Sequence, residues 1–243
     1  MLKRCVFIAI LFAFLLMTHS PVHASDRASC PGMDPVCKTL AKLAEAEQYE
    51  KIIETADPKK TYSAESRKII GQAYLMAAGR ETNTPEQEEQ FCLKALEYGA
   101  TSAYMGLYFI HAGTNTEKAL GYLQQYVALK PVDSVPYVIL GEAELEKRNY
   151  ASANTYLIEA RKVARGKSGN LDWLLFQASY LNGDFATSAQ MLDSSFSQGK
   201  TVGDLRALIS SDPRFSDAGK RPEFRKFLSL INGTTTARAQ AGS

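Results

Sequence analysis

The chain has 243 residues, of which 45% are hydrophobic and 22% are charged, and its formal net charge is +2. This near-neutral balance argues against nucleic acid or a charged membrane surface as the main partner. The apolar content is sufficient for a folded core. The 4 cysteines leave room for a disulfide if the chain reaches an oxidising compartment.

The first 24 residues have the three parts of a secretory signal peptide. Lys3 and Arg4 give a positive start, residues 5–17 are an apolar run of 13, and Val22 and Ala24 fit a cleavage site. Because the run is too short for a stable membrane span, we expect cleavage after Ala24. The mature chain should be soluble and periplasmic or secreted, with an uncleaved N-terminal anchor as the alternative.

Three cysteines follow the predicted signal peptide. Cys30 and Cys37 flank a turn-rich loop, so a disulfide between them is the favoured pairing and leaves Cys92 unpaired. A metal site is disfavoured because the spacing is not that of a zinc knuckle and no histidine lies nearby. Cys92 has apolar neighbours on a predicted helix, and we expect it to be a small buried residue. No metal or cofactor is predicted.

Apolar residues at helical spacing predict a series of helices joined by short turns, without a credible strand. Residues 25–62 are interpreted as a leading segment with a degenerate helix pair, and residues 63–199 as the main array. The predicted helices are Val36–Ala46, Tyr49–Thr55, Ser63–Gly79, Glu86–Tyr98, Thr101–Ala112, Thr116–Leu129, Val135–Lys147, Ala151–Val163, Asn170–Leu181 and Asp184–Phe196.

Residues 200–231 have a different pattern, which predicts a C-terminal helical cap. Thr201–Ser210 and Arg221–Ile231 are expected to be helices, and Phe215, Phe224 and Phe227 can cover the last exposed face of the array. Residues 232–243 are small and polar, which predicts a disordered tail.

Small residues recur along the array at a period of 34 to 35 residues. Gly71, Gly106 and Gly141 are 35 residues apart, each in the first helix of its pair, and Ala119 and Ala153 are 34 apart in second helices. A period of this length with two helices per repeat is typical of a helical solenoid. Gly141 and Ala153 are expected where the two helices of one pair cross closely.

The helix pair at residues 134–163 resembles the tetratricopeptide repeat family. The matching positions are Leu140-Gly141, Arg148-Asn149-Tyr150, Ala153, Leu157 and Ala160. Weaker matches extend over residues 63–196, and residues 92–99 are also similar to the related Sel1-like repeats. The resemblance implies an all-α, right-handed α-solenoid of antiparallel helix pairs. It also implies that the first helices line a concave groove for a protein or peptide partner.

Eight residues occupy groove positions if the family's pattern is carried over to this sequence. They are Gln72, Leu107, His111, Glu142, Glu146, Trp173, Gln177 and Tyr180. Trp173 and Tyr180 share one helix face, which favours an aromatic platform that anchors a partner. The alternative is that both side chains pack against the C-terminal cap.

No motif in the sequence indicates catalysis. His111 is the single histidine of the mature chain, and the glutamate-rich runs are expected to be solvated helix faces. We therefore interpret the chain as an exported, non-enzymatic scaffold or adaptor that supports an envelope or secretion complex. Two alternatives stay open: an exported hydrolase that uses carboxylates, and a structural subunit that forms homo-oligomers through the groove.

Overall fold

The computed structural model describes residues 34–166 and 168–227, and every regular element in them is helical. The predicted signal peptide, Cys30 and the predicted tail lie outside these residues, as does the end of the last predicted helix. The helices are α1 Pro35–Glu45, α2 Tyr49–Thr55, α3 Ala64–Ala78, α4 Pro85–Glu97, α5 Ala103–Ala112, α6 Thr116–Ala128, α7 Val135–Glu146, α8 Tyr150–Val163, α9 Gly169–Leu181, α10 Phe185–Phe196 and α11 Val202–Ser211. They are followed by three short 3-10 helices, Pro213–Phe215, Ala218–Lys220 and Pro222–Phe224.

The chain divides into two compact units, which meet in the sequence between Leu129 and Lys130. The N-terminal unit contains α1 to α6, and the C-terminal unit contains α7 to α11 and the 3-10 helices. In the first unit α3 packs on α4 and α5 on α6, and in the second α7 packs on α8 and α9 on α10. The predicted all-α class of consecutive helix pairs is confirmed. None of the described helices is both long and apolar enough to cross a bilayer.

Side-chain caps explain where many of the helices begin. The capping side chain accepts a hydrogen bond from an amide in the first turn, which otherwise has no partner inside the helix. In two cases, Thr84 with Gln87 and Thr201 with Asp204, the third helical residue bonds back to the cap and completes a capping box. The other side-chain caps of α-helices are Asp34, Ser63, Asn115, Ser168 and Asp184.

The turns inside three helix pairs have the same geometry. Glu47, Arg148 and Gly183 adopt left-handed φ angles of 54°, 63° and 84°. The next amide in each turn donates to the carbonyl five residues earlier, which closes the first helix. These bonds run from Gln48 to Leu43, from Asn149 to Glu144 and from Asp184 to Ser179, at 2.8 to 2.9 Å. The degenerate first pair therefore turns in the same way as the best-preserved one.

Gly141 lies where α7 packs against α8. A Cβ atom at this position would lie 2.6 Å from Cγ of Leu157, whose side chain is fully buried. The small residue is therefore required by a close helix contact, as the sequence predicts. The side chain that it accommodates, however, is Leu157, one turn beyond Ala153.

We expect Gly141→Ala to lower the free energy of unfolding by about 1–2 kcal/mol, because the added methyl overpacks Leu157. Gly121 is the matched control, since it lies inside α6 and a Cβ there would have nothing within 4 Å. Gly121→Ala should raise the free energy of unfolding by about 0.5–1 kcal/mol through helix propensity. Urea denaturation of both variants measures these changes. Effects of the same sign would show that packing does not select glycine at residue 141.

Candidate partner-binding surface

Two of the eight predicted groove residues are buried. Leu107 is fully buried and packs in a cluster with Cys92, Ala95 and Ala103, and Tyr180 is only 4% exposed. Side chains this deep in the protein present no surface to a partner. The expected groove is therefore corrected at both positions.

Tyr180 packs into the C-terminal cap. Its ring stacks on Phe215 with 4.9 Å between ring centroids, and its hydroxyl donates a hydrogen bond to the carboxylate of Asp217. Burial, reinforced by the hydrogen bond to Asp217, raises the pKa of Tyr180 to about 12, so the phenol remains a neutral donor at pH 7. The alternative that Tyr180 packs against the cap is thus the correct one.

Trp173 is only partly buried, on the edge of the same cluster. Its ring centroid lies 5.2 Å from that of Phe176, and the ammonium of Lys200 lies 5.5 Å from the indole centroid. This distance is within the range of a cation–π contact. Trp173 therefore keeps an accessible edge, but it does not form a free aromatic platform with Tyr180.

His111 contacts the neighbouring helices of the N-terminal unit. Its side chain is 13% exposed, and Nε2 lies 3.1 Å from Oε1 of Glu89 on α4. Lys118 on α6 places Nζ 2.7 Å from the same oxygen, and the His111 ring stacks on Tyr122 at 5.8 Å. The hydrogen bond from Lys118, and then the close approach of His111, lower the pKa of Glu89 against the opposing effect of burial. His111 therefore links α4, α5 and α6, and its place in a groove stays a prediction.

The sequence does not indicate the cluster of hydrogen-bonded side chains around Asp172. Asp172 is fully buried and accepts hydrogen bonds from Arg161 Nε at 2.8 Å, Ser194 Oγ at 2.6 Å and Gln198 Nε2 at 2.6 Å. These donors come from α8, from α10 and from the turn after α10. A buried charge is tolerated when it is paired and hydrogen-bonded. The arrangement fits an interhelical clamp, since Asp172 has no free face.

Helix α7 carries three glutamates, of which Glu144 has a cationic partner and the other two do not in the described residues. Glu144 is 9% exposed and accepts from Asn149 Nδ2 at 2.8 Å and Lys147 Nζ at 3.2 Å. Glu142 and Glu146 lie one turn apart and are exposed, and their place in a groove stays a prediction. Within residues 34–166 and 168–227 neither is joined to a cation. Partial burial, and then the charge of Glu146, raise the pKa of Glu142.

Gln72 and Gln177 are partly exposed residues of α3 and α9. The side-chain amide of Gln177 donates to the carbonyl of Trp173 at 3.4 Å, which holds it along its own helix. Both residues remain predictions as partner contacts.

The cysteines in the described part of the chain differ in state. Cys92 is free and 3% exposed, as predicted, and burial together with Glu88 and Glu89 raises the pKa of its thiol to about 12. It is therefore an unreactive core residue. Cys37 is fully buried and disulfide-bonded. Its expected partner, Cys30, lies outside the described residues, so that pairing stays a prediction.

The described chain has no group of three or more His, Cys, Asp or Glu side chains that could hold a metal ion. Its consecutive helix pairs define it as a helical-repeat protein, which is the fold that the tetratricopeptide resemblance implies.

Comparison with known proteins gives a match at the level of structure alone. No family model matches the chain, and no curated protein matches it. Among solved structures, MamA of AMB-1 aligns with 70% of this chain and 94% of its own length, at 12% sequence identity and a TM-score of 0.43. We base no functional conclusion on a likeness of this size.

Proposed function

We propose that the chain is an exported, non-enzymatic scaffold that holds a protein component of an envelope or secretion complex. The observation that supports this proposal is the exposed pair Glu142 and Glu146, which has no cation beside it in the described chain. The pair lies on the first helix of the repeat that most resembles the tetratricopeptide pattern. In that family the first helix faces the partner.

The electrostatics of α7 favour a basic partner segment. Carboxylates one helical turn apart repel each other, and this repulsion adds to partial burial, the larger cause, in raising the pKa of Glu142. A lysine or arginine from a partner would relieve the repulsion, whereas Glu144 on the same helix already has Lys147 and Asn149. We therefore expect the partner to place at least one basic side chain against Glu142 and Glu146.

The neighbouring first helix, α9, extends this surface. It contacts α7 within the C-terminal unit, and its Trp173 and Gln177 are partly exposed. A partly exposed aromatic residue and an acidic pair on helices in contact suit a partner segment that combines basic and apolar side chains. A hydrolase would need an enclosed pair of carboxylates with contrasting pKa values. Glu142 and Glu146 instead lie on an exposed helix face, so binding is the better interpretation.

The test is partner capture by the Glu142→Gln/Glu146→Gln variant. Envelope extract from the host is passed over immobilised wild-type and variant chains, and the captured protein is identified and purified. Calorimetry should then give a dissociation constant about tenfold higher for the variant, since each exposed ion pair contributes up to about 1 kcal/mol. The dependence of binding on salt should weaken in the variant as well.

Glu159→Gln is the matched control. Glu159 lies on α8 of the same repeat and pairs with Lys162 Nζ at 2.6 Å, so its loss should leave capture unchanged. Equal capture by wild type and double variant, or equal loss with Glu159→Gln, would contradict the proposed surface. If the only protein captured is a second copy of this chain, the alternative of a self-assembling subunit is supported instead.

The chain recovered from the envelope should begin at Ser25. A recovered chain that still carries residues 1–24 would contradict export with cleavage.

A further inference from the structure

A recess of about 310 Å³ lies in the N-terminal unit. Its walls come from α1, from the end of α2 and from the loop that leads into α3. Val36 of α1 and Tyr62 of the loop are partly buried residues of its lining. This volume is at the lower end of the range for small-molecule sites, which are mostly apolar with a few polar groups.

The hydroxyl groups of the lining are already engaged in hydrogen bonds within the chain. Thr39 Oγ1 donates to the carbonyl of Pro35 at 2.9 Å, and Thr55 Oγ1 donates to that of Ile52 at 2.8 Å. The Tyr62 hydroxyl donates to the carbonyl of Thr55 at 3.2 Å and accepts from a loop amide at 2.8 Å. The walls therefore offer methyl groups and an aromatic ring. The polar groups of a polar ligand would find no hydrogen-bond partner there.

Lys60 is the charged residue of the lining. It is exposed, and its Nζ lies 5.7 Å from the centroid of the Tyr62 ring, which is within the range of a cation–π contact. No carboxylate of the described residues pairs with it. The recess thus combines an apolar wall with a single available positive charge.

We infer that this recess binds a small amphiphile, with an apolar chain against Val36 and Tyr62 and one carboxylate at Lys60. The apolar chain supplies the surface that the walls can desolvate, and the carboxylate complements the Lys60 ammonium. This site is separate from the acidic pair on α7 and does not depend on the proposed partner.

Octanoate binding to the purified chain, measured by calorimetry, tests the inference. Across a series from butanoate to decanoate, each added CH₂ group should tighten binding by up to about fourfold until the recess is full. Octanol tests the apolar part alone, and octylammonium should bind more weakly than either. Octanoate that fails to bind, or a series without a dependence on chain length, would overturn the inference.

Two variants and a matched control locate the ligand. Lys60→Gln should weaken octanoate about fivefold, the upper range for an exposed ion pair, and should leave octanol unchanged. Lys59→Gln removes the adjacent exposed lysine, which is not part of the lining, and should change neither ligand. Thr39→Phe fills the recess from an exposed position of α1, so it should abolish binding of both ligands while the thermal midpoint stays near that of the wild type. Equal losses with Lys59→Gln and Lys60→Gln, or full binding by Thr39→Phe, would show that octanoate binds elsewhere.

Discussion

Replacement of Asp172 by alanine is expected to lower the free energy of unfolding by about 3–5 kcal/mol. Asp172 is fully buried, and its carboxylate receives Arg161, Ser194 and Gln198 from α8, α10 and the following turn. Its loss leaves these donors facing a cavity, including an arginine whose side chain is only 31% exposed. The thermal midpoint of a chain of this size should fall by about 10 °C or more.

Asp193→Ala is the matched control for this prediction. Asp193 lies on α10 beside Ser194, but its side chain is 59% exposed and its partner is the exposed Lys226, at 2.9 Å. An ion pair in water contributes at most about 1 kcal/mol, so the midpoint should move little. Thermal and urea denaturation of the two variants gives the comparison. Similar losses for Asp172→Ala and Asp193→Ala would contradict the clamp across the three helices.

The helix pairs and their turns could be predicted because they depend on residues close in sequence. Gly106 and Gly141, 35 residues apart, each lie at a close helix contact, Gly106 with Cys92 of α4 and Gly141 with Leu157 of α8. Arg148 and Gly183 occupy equivalent turns because both sit at the left-handed position after a first helix. The exposure of Glu142 and Glu146 likewise follows from helical periodicity on α7.

The buried clusters could not be predicted because their members are distant in sequence. Asp172 is separated by 22 residues from Ser194 and by 26 from Gln198, and its position in the first turn of α9 is also where an exposed acid is favoured. Tyr180 and Asp217 are 37 residues apart. The first helix of a repeat packs against several other helices. Its hydrophobic periodicity alone therefore does not show whether a residue lines a groove or packs against the C-terminal cap.

Tyr180→Ala should lower the free energy of unfolding by about 3–5 kcal/mol, because it removes a whole ring from the cap core. That ring stacks on Phe215, and Phe224 packs against it edge-to-face at 5.5 Å. Combining this substitution with Trp173→Ala would therefore remove partner capture by unfolding the cap, whether or not a partner binds there. Trp173→Ala alone is the informative variant for binding, since Trp173 is partly exposed.

Tyr180→Phe removes the hydroxyl and keeps the ring, so it measures the contribution of the hydroxyl alone. It keeps the stacking on Phe215 and loses the hydrogen bond to Asp217, which should cost about 1–2 kcal/mol. Because folding raises the pKa of Tyr180 from its ordinary value of 10.0 to about 12, its hydroxyl contributes fully below pH 10 and less as the pH rises toward 12. The difference in stability between wild type and Tyr180→Phe should therefore shrink over that range, as chemical denaturation at several pH values can measure. If Tyr180→Ala were as stable as Tyr180→Phe, the ring would not be part of the core. If Tyr180→Phe kept full stability but captured less partner, the Tyr180 hydroxyl would be a partner contact.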